Sequence, residues 1–349
     1  MKYVELELEV ITPMFSFGDN KELSEFRITE LKSLMRNIFR QIYCFNKPED
    51  MKKKEEILFG STKNKSPISF KLNSPIVGNG KRDMLPHRET KDEREMLPYR
   101  KTKNKESKTN CISESTIIKN LYMIVNNNSN IELYINLLIQ SSILGGIGKR
   151  SRKGFGAFKI NSISGIDEKY NYLFKKSPVD VLKECEIYLK DNDLYKVRKN
   201  RYRNNKIEKL IFDDSIYKKN KLNFPYIKNI NFIKISKNRD YTNLIKLVSQ
   251  LTHNRLDDKV IKEDNKIIID PNILGNCKSG NRKINRFASP ICVSFWENNI
   301  DKYMIVKELN YDYILSSLKT KYDKAINPNK RYVDRYVEKI IEIGGIKSK

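Results

Sequence analysis

One twelve-residue stretch constrains this chain more than any other: Gly145–Gly156, reading GGIGKRSRKGFG. It holds five glycines and four cations, Lys149, Arg150, Arg152 and Lys153, with no carboxylate among them. An apolar, helix-like run precedes it and the strand-like Phe155–Ile163 follows, so the stretch is a loop between two regular elements. Glycine lets a backbone take positive φ and come close to a ligand. Exposed N–H groups beside lysine and arginine form a concave anion trap. Gly146, Gly148 and Gly154, with the four cations, are therefore the expected phosphate-binding set. The alternative is a helix C-cap followed by a solvated basic turn. Glycines at both ends of a cationic core favour the phosphate.

Composition narrows the partner. The chain has 349 residues, a length that suggests roughly two domains. With 39% hydrophobic and 32% charged residues it can bury ordinary cores and is too apolar to be disordered. The formal net charge is +25, which asks for a polyanion: a nucleic acid, an anionic membrane surface or an acidic protein. The five cysteines form no CxxC pair and there are two histidines, so neither a zinc site nor a disulfide framework is expected. No apolar run approaches membrane-spanning length, and the first ten residues read as a strand rather than a secretion signal. A soluble, cytoplasmic protein with free thiols is expected.

Periodicity orders the first half. Val4, Leu6, Leu8 and Val10 alternate with glutamates, the mark of a half-buried strand that ends at Thr12-Pro13. Ile28–Phe45 has helical spacing, with Arg36 and Arg40 four apart on one face. Ser66–Leu72 reads as a strand, Ile76–Asn110 as a long polar insertion, Cys111–Val125 as strand-like pairs and Ile131–Leu144 as a helix with one apolar stripe. The order β-α-β-β-α-β predicts a ferredoxin-like unit over 1–165, its two helices on one face of an antiparallel sheet. A boundary is expected near Ser164–Tyr170. Residues 170–349 read as a second, degenerate and helix-rich α+β unit. The basic, tyrosine-containing Tyr195–Lys206 suits single-stranded RNA or a mobile linker equally.

Several of these pieces together resemble the RAMP proteins of CRISPR effector complexes, and within them the subunit-one family of type III-B Cmr complexes. The residues that carry the likeness are Thr12-Pro13 with Phe15, Glu25-Phe26-Arg27, the run Leu31 to Arg40, and Phe59-Gly60-Ser61. To these add Gly146–Gly156, Leu274-Gly275 and Arg286-Phe287-Ala288-Ser289-Pro290. The likeness spans essentially the whole chain. Where the family has a glycine and paired tryptophans on the first helix, this chain has Ser33, Ile38 and Phe39.

The resemblance implies two RRM-like RAMP units and a non-catalytic subunit. Such a subunit holds the guide (crRNA) 3′ region beside target single-stranded RNA and neighbouring Cmr subunits, with no membrane and no cofactor. It implies RNA contacts from Arg27, Arg36 and Arg40, which on residue type alone could equally be solvated or paired with Glu25 or Glu30. It also implies contacts from the glycine-rich loop and from Arg286. The insertion 76–110 is similar in place to a thumb that wedges along the guide–target duplex, with His87, Arg88, Tyr99 and Arg100 as its contact residues. Two other readings stand beside this one. In related RAMP backbone subunits an aspartate in the loop after the first strand promotes metal-dependent RNA cleavage, and Asp19 occupies that loop. A basic protein–protein adaptor is the third. Otherwise no catalytic residue and no metal site is expected.

Overall fold

The computed structural model describes residues 1–20, 22–42, 47–86, 108–126, 130–166, 168, 170, 175–185, 198–201, 207–211, 225–254, 289–310 and 330–345. The first unit contains β1 (Lys2–Val10), α1 (Ile28–Ile42), α2 (Pro48–Phe59), β2 (Ile68–Leu72), β3 (Gly80–Asp83), β4 (Lys108–Cys111), β5 (Ile117–Val125), α3 (Ile131–Leu144) and β6 (Phe158–Ser164). Strands β2-β5-β1-β6 lie side by side in that order, all antiparallel. Counting only these four, the spatial order is second, third, first, fourth, which is the ferredoxin-like arrangement expected from the periodicity. Val4, Leu6, Leu8 and Val10 all face the core, and the outward face carries Tyr3, Glu5, Glu7 and Glu9.

Helix α1 buries Leu31, Met35, Ile38, Phe39 and Ile42, the stripe its spacing predicts. Its glutamate in the first turn and Arg40 in the last both suit the helix dipole. Helix α2 was not expected. Its start is written as Pro48 in the first turn followed by Glu49 and Asp50, and it ends where Gly60 takes φ 80°. The ends of the polar insertion pair as a two-stranded ribbon, β3 with β4, set off from the main sheet. His87, Arg88, Tyr99 and Arg100 lie outside the described residues.

The second unit contains α4 (Pro178–Cys185), β7 (Arg198–Arg201), β8 (Ile207–Ile211), β9 (Ile227–Ile235), α5 (Tyr241–Asn254), β10 (Ile291–Glu297), β11 (Lys302–Leu309) and α6 (Lys330–Ile343). Its sheet runs β10-β11-β9-β8-β7, antiparallel throughout. Among the described residues from β9 onward, the elements repeat the first unit's logic: strand, helix, two strands, helix, with the strands in second-third-first order. The place of the fourth strand is taken by β8, which comes earlier in the chain. That substitution is what makes the unit degenerate.

The two sheets share an interior. One apolar cluster contains Leu6, Leu8 and Ile160 of the first sheet, Leu31 and Leu138 of the helices, and Phe232, Trp296 and Ile305 of the second sheet. A second cluster lies on the far face of the second sheet, where Ile233, Val293, Phe295, Met304 and Val306 meet Leu244, Val248, Tyr336 and Ile340 of α5 and α6. The layers are thus sheet, helices, sheet, helices. Helix α3 sits in the second layer, and from Tyr134 to Leu144 every side chain is buried. The one-stripe reading of α3 therefore falls short. A helix apolar all round is a helix covered all round, and the second sheet supplies the cover.

Burial extends to charge. Lys307 on β11 is 3% exposed and donates to Gln41 Oε1 (2.7 Å) and Leu144 O (2.8 Å). Burial lowers its pKa to about 8, and burial likewise brings Lys153, in the segment between α3 and β6, to about 8. The unfolded chain keeps these protons up to about pH 10.4, so between about pH 8 and 10 the unfolded state binds more protons than the native one. The two lysines therefore make stability rise with pH across that window, by about 1–2 kcal/mol each, offset in part by the Cys111 thiol, which burial pushes up to about 11. Above it the Tyr134 hydroxyl, which burial holds protonated, works the other way. Denaturant melts at pH 7.5 and 9.5 will show the rise. In Lys307→Met it will be cut by half or more; an equal rise in the variant would show that Lys307 does not titrate in this way.

Candidate nucleic-acid interface

The loop between α3 and β6 is built by contacts on both sides. Below it, the Thr12 side chain accepts from Ala157 N (2.9 Å) and donates to Gly154 O (2.7 Å), while Gly156 N donates to Pro13 O (2.9 Å). Lys149 N donates to Phe15 O (2.8 Å). Thr12-Pro13 and Phe15 thus form the bed on which the loop lies. Two glycines make the fit possible. Gly148 has φ 90°, and an added Cβ would stand 2.6 Å from Phe15 O; Gly156 has φ 69°, and its Cβ would stand 1.8 Å from Ile147 O. Positive φ also explains why β6 begins at Phe158 and not at the expected Phe155.

This geometry changes the meaning of the glycines. The N–H groups of Ile147, Lys149, Lys153, Gly154 and Gly156 all donate to carbonyls of the protein itself. Gly146 and Gly154 are buried. These five N–H groups are used within the protein, and the close backbone packing makes the loop a rigid strut.

The four cations divide into two pairs. Lys149 and Arg150 are exposed, and Lys149 Nζ lies 4.5 Å from the centre of the Phe17 ring. Such a cation–π contact orients the side chain without removing it from solvent. Arg152 and Lys153 point the other way. Arg152 Nη1 donates to Ser289 O (2.6 Å), and Lys153 Nζ donates to Thr252 Oγ1 (3.2 Å) and Tyr336 OH (3.5 Å). Of the four cations expected at phosphate, Lys149 and Arg150 are exposed, and Arg152 and Lys153 are engaged within the protein.

The helix arginines are likewise engaged within the protein. Arg27 Nη1 donates to Phe17 O (3.0 Å). Arg36 Nη2 donates to Phe59 O (3.0 Å) and Gly60 O (2.8 Å), and its guanidinium lies over the Phe59 ring. Arg40 forms a two-point pair with Glu55, and that hydrogen bond raises the arginine pKa. Arg36 Nε also lies 3.2 Å from Glu55. The partner anticipated from sequence, Glu25 or Glu30, is in fact Glu55 of the unforeseen helix α2. Lys32, one turn before Arg36, donates to Ser66 Oγ (2.6 Å) and Ile68 O (3.0 Å). Lys32, Arg36 and Arg40 therefore form one line along α1, and Arg36 and Arg40 side chains remain 33% and 47% exposed. The i, i+4, i+8 spacing was the available signal for Lys32.

Other groups complete the picture. Glu30 sits beside the loop. Burial raises its pKa, while Ser16, Arg27 and Lys149 pull it back. Asp19 is exposed in the loop after β1, and among the described residues no group of three or more His, Cys, Asp or Glu is placed to hold a metal. Arg286 lies outside the described residues. The open face of the first sheet carries a charge ladder: Glu7 with Lys119 (3.7 Å), and Lys159 with Glu9 (3.2 Å) and Glu297 (3.0 Å). Among the described residues no helix is long and apolar enough to cross a membrane.

Comparison with known proteins agrees with this architecture. The RAMP superfamily model matches residues 7–159. The chain is similar to the CRISPR system Cmr subunit Cmr1-2 of Pyrococcus furiosus, at 29% identity over 180 residues, covering 45% of this chain and 94% of that protein. Its structure resembles the apo crystal structure of Cmr1 from Pyrococcus furiosus, with TM-score 0.52 and 17% identity over 97% of this chain and 96% of that one. A chain of a type III-B Cmr-beta complex solved by cryo-EM with cognate target RNA aligns at TM-score 0.49 and 14% identity, over 98% of this chain and 99% of that one. The family match falls on the first sheet and its glycine-rich loop, and over those residues the chain is similar to the RAMP superfamily.

Proposed function

We propose that this protein is a non-catalytic, RNA-binding subunit of a type III-B CRISPR effector complex. In this reading it holds the 3′ region of the crRNA and assists capture of target RNA, in contact with other Cmr subunits. The assignment to such a complex rests on the likeness to Cmr1-2 and to the Cmr1 fold. The position at the guide 3′ end follows from the family resemblance. The observation that carries RNA binding is the exposed Lys149–Arg150 corner on a strut fixed at both ends, in a chain of net charge +25. The partly exposed line Lys32–Arg36–Arg40 extends the basic surface along α1. Contacts of this kind position a phosphate backbone and read no sequence. Base pairing between guide and target then supplies specificity, as in other RNA-guided systems.

The test is binding of an end-labelled single-stranded RNA, with magnesium, followed on native and denaturing gels. Wild type is expected to shift intact RNA with a steep salt dependence. Lys149→Glu with Arg150→Glu weakens binding about tenfold or more at low salt. Loss of two phosphate contacts also flattens the log–log salt slope by about 1.4. Because Lys149 also faces Phe17 and the half-buried Glu30, the melting temperature is measured alongside, and the neutral pair Lys149→Gln with Arg150→Gln, which adds no charge beside Glu30, is expected to weaken binding in the same direction. Unchanged affinity in the double variant would sink the corner as an RNA contact. Discrete cleavage abolished by chelation and by Asp19→Ala would replace the reading with a nuclease.

A further inference from the structure

The inner corner of the loop docks on the second unit in three ways. Val293 N donates to Arg152 O (2.9 Å), and Lys153 bridges Val293 in parallel fashion, so the loop lies along the outer edge of β10. Arg152 reaches Ser289 O just before that strand. Lys153 then passes inward to the hydroxyls of Thr252 on α5 and Tyr336 on α6, which are 2.6 Å apart. One side chain thus joins two helices whose contact residues follow it by 99 and 183 residues. The outer corner is bound to the inner one by a tight turn. Lys153 N donates to Arg150 O (2.8 Å) and Gly154 N to Ser151 O (3.4 Å), with Arg150 itself in the left-handed region at φ 59°.

We propose that Lys153 is a positioning residue, through which RNA held at Lys149–Arg150 and the docking of α5, α6 and β10 stabilise each other. The proposal rests on the RNA-binding reading above. A stiff turn cannot move one corner without the other, so a phosphate that fixes the outer corner favours the docked inner one. By linkage the docked second unit then raises RNA affinity by the same factor. The electrostatics point the same way. Arg150 and Arg152 both repel the Lys153 ammonium, and a phosphate at Arg150 offsets part of that repulsion. The other titratable groups facing Lys153 are Cys292 of β10 and Tyr336 of α6. Bound RNA therefore favours the protonated lysine, and RNA affinity falls as pH rises through about 8.

The experiment compares wild type with Lys153→Met, which keeps the length of the side chain and loses the ammonium. A labelled oligouridylate is bound at pH 7 and pH 9 at constant ionic strength. Hydrogen exchange of the wild type is followed with and without the same RNA. Lys153→Met is expected to bind about 5-fold more weakly at pH 7 (of the order of a typical coupling factor). Its salt slope stays at the wild-type value, because no phosphate contact is lost, and its affinity drops less between pH 7 and pH 9. RNA slows exchange in the wild type at residues 248–254 and 291–297 as well as in the loop. Wild-type affinity and pH response in Lys153→Met, or protection confined to the loop, overturns the coupling. If the variant does not fold, the wild-type exchange data decide alone. A wild type that binds no RNA overturns the functional reading and the coupling with it. RNA binding by wild type with an unaltered Lys153→Met overturns the coupling only.

Discussion

The C-terminal end of α3 is the point on which this structure depends. A helix leaves its last carbonyls without intrahelical donors, and here that end is buried between two sheets, where water cannot supply them. The second unit does so instead. Ser294 Oγ donates to Gly145 O (2.7 Å), and Lys307 Nζ donates to Leu144 O. A cation at a helix C-terminus also complements the dipole. The cost is plain: moving the lysine pKa from 10.5 to about 8 corresponds to about 3 kcal/mol against the charged form. The same ammonium binds Gln41 of α1, so a single group closes the helix layer and attaches the second sheet to it. Without that sheet, the apolar far side of α3 and its carbonyl end would both be left open.

Fixing the helix end fixes what comes next. The loop starts at a capped carbonyl, lies on Thr12, Pro13 and Phe15, and ends in β6 against β1. Its glycines are required by backbone-to-backbone contact, as at Gly148 and Gly156. The loop is short and held at both ends, so its two pairs of cations are forced to opposite sides of it. Lys149 and Arg150 face solvent; Arg152 and Lys153 face β10, α5 and α6. A basic cluster in sequence thus divides in space between a surface and a joint.

What could be read from the sequence follows from the range of the interactions involved. Strand β1 and helix α3 were legible because alternation and helical spacing are local, and α3 is found at the expected Ile131–Leu144. The strand order followed from the sequence of elements. The all-round burial of α3 was also written in its composition, but it was read as a stripe because only one packing partner was considered. Helix α2 carries plain start signals at Pro48, Glu49 and Asp50, hidden beside the charged run Lys52–Glu56. Charge partners were not legible. Arg36 and Arg40 meet Glu55, and Lys307 meets Gln41 and Leu144, through tertiary contacts that no spacing rule encodes. For the same reason the inward course of Arg152 and Lys153 could not be seen in a stretch where all four cations look alike.

The two sheet faces decide where a polyanion could lie on this protein. RRM-like units commonly present nucleic acid with the sheet face that helices leave bare. In the second unit that face is spent, since Phe232, Trp296 and Ile305 pack into the shared interior. In the first unit it is open but carries Glu5, Glu7 and Glu9, two of them paired with lysines, and the one tyrosine opposite Glu5, Tyr122, donates its hydroxyl to that carboxylate. An RNA backbone crossing that face would meet carboxylates at every second residue of β1. The rim where the β1–α1 loop meets the glycine strut has the opposite character, with Lys149 over Phe17 and Arg150 beside it. Net charge alone says that a polyanion is attracted. In the proposed RNA-binding reading, the burial of one sheet face and the acidity of the other favour the rim.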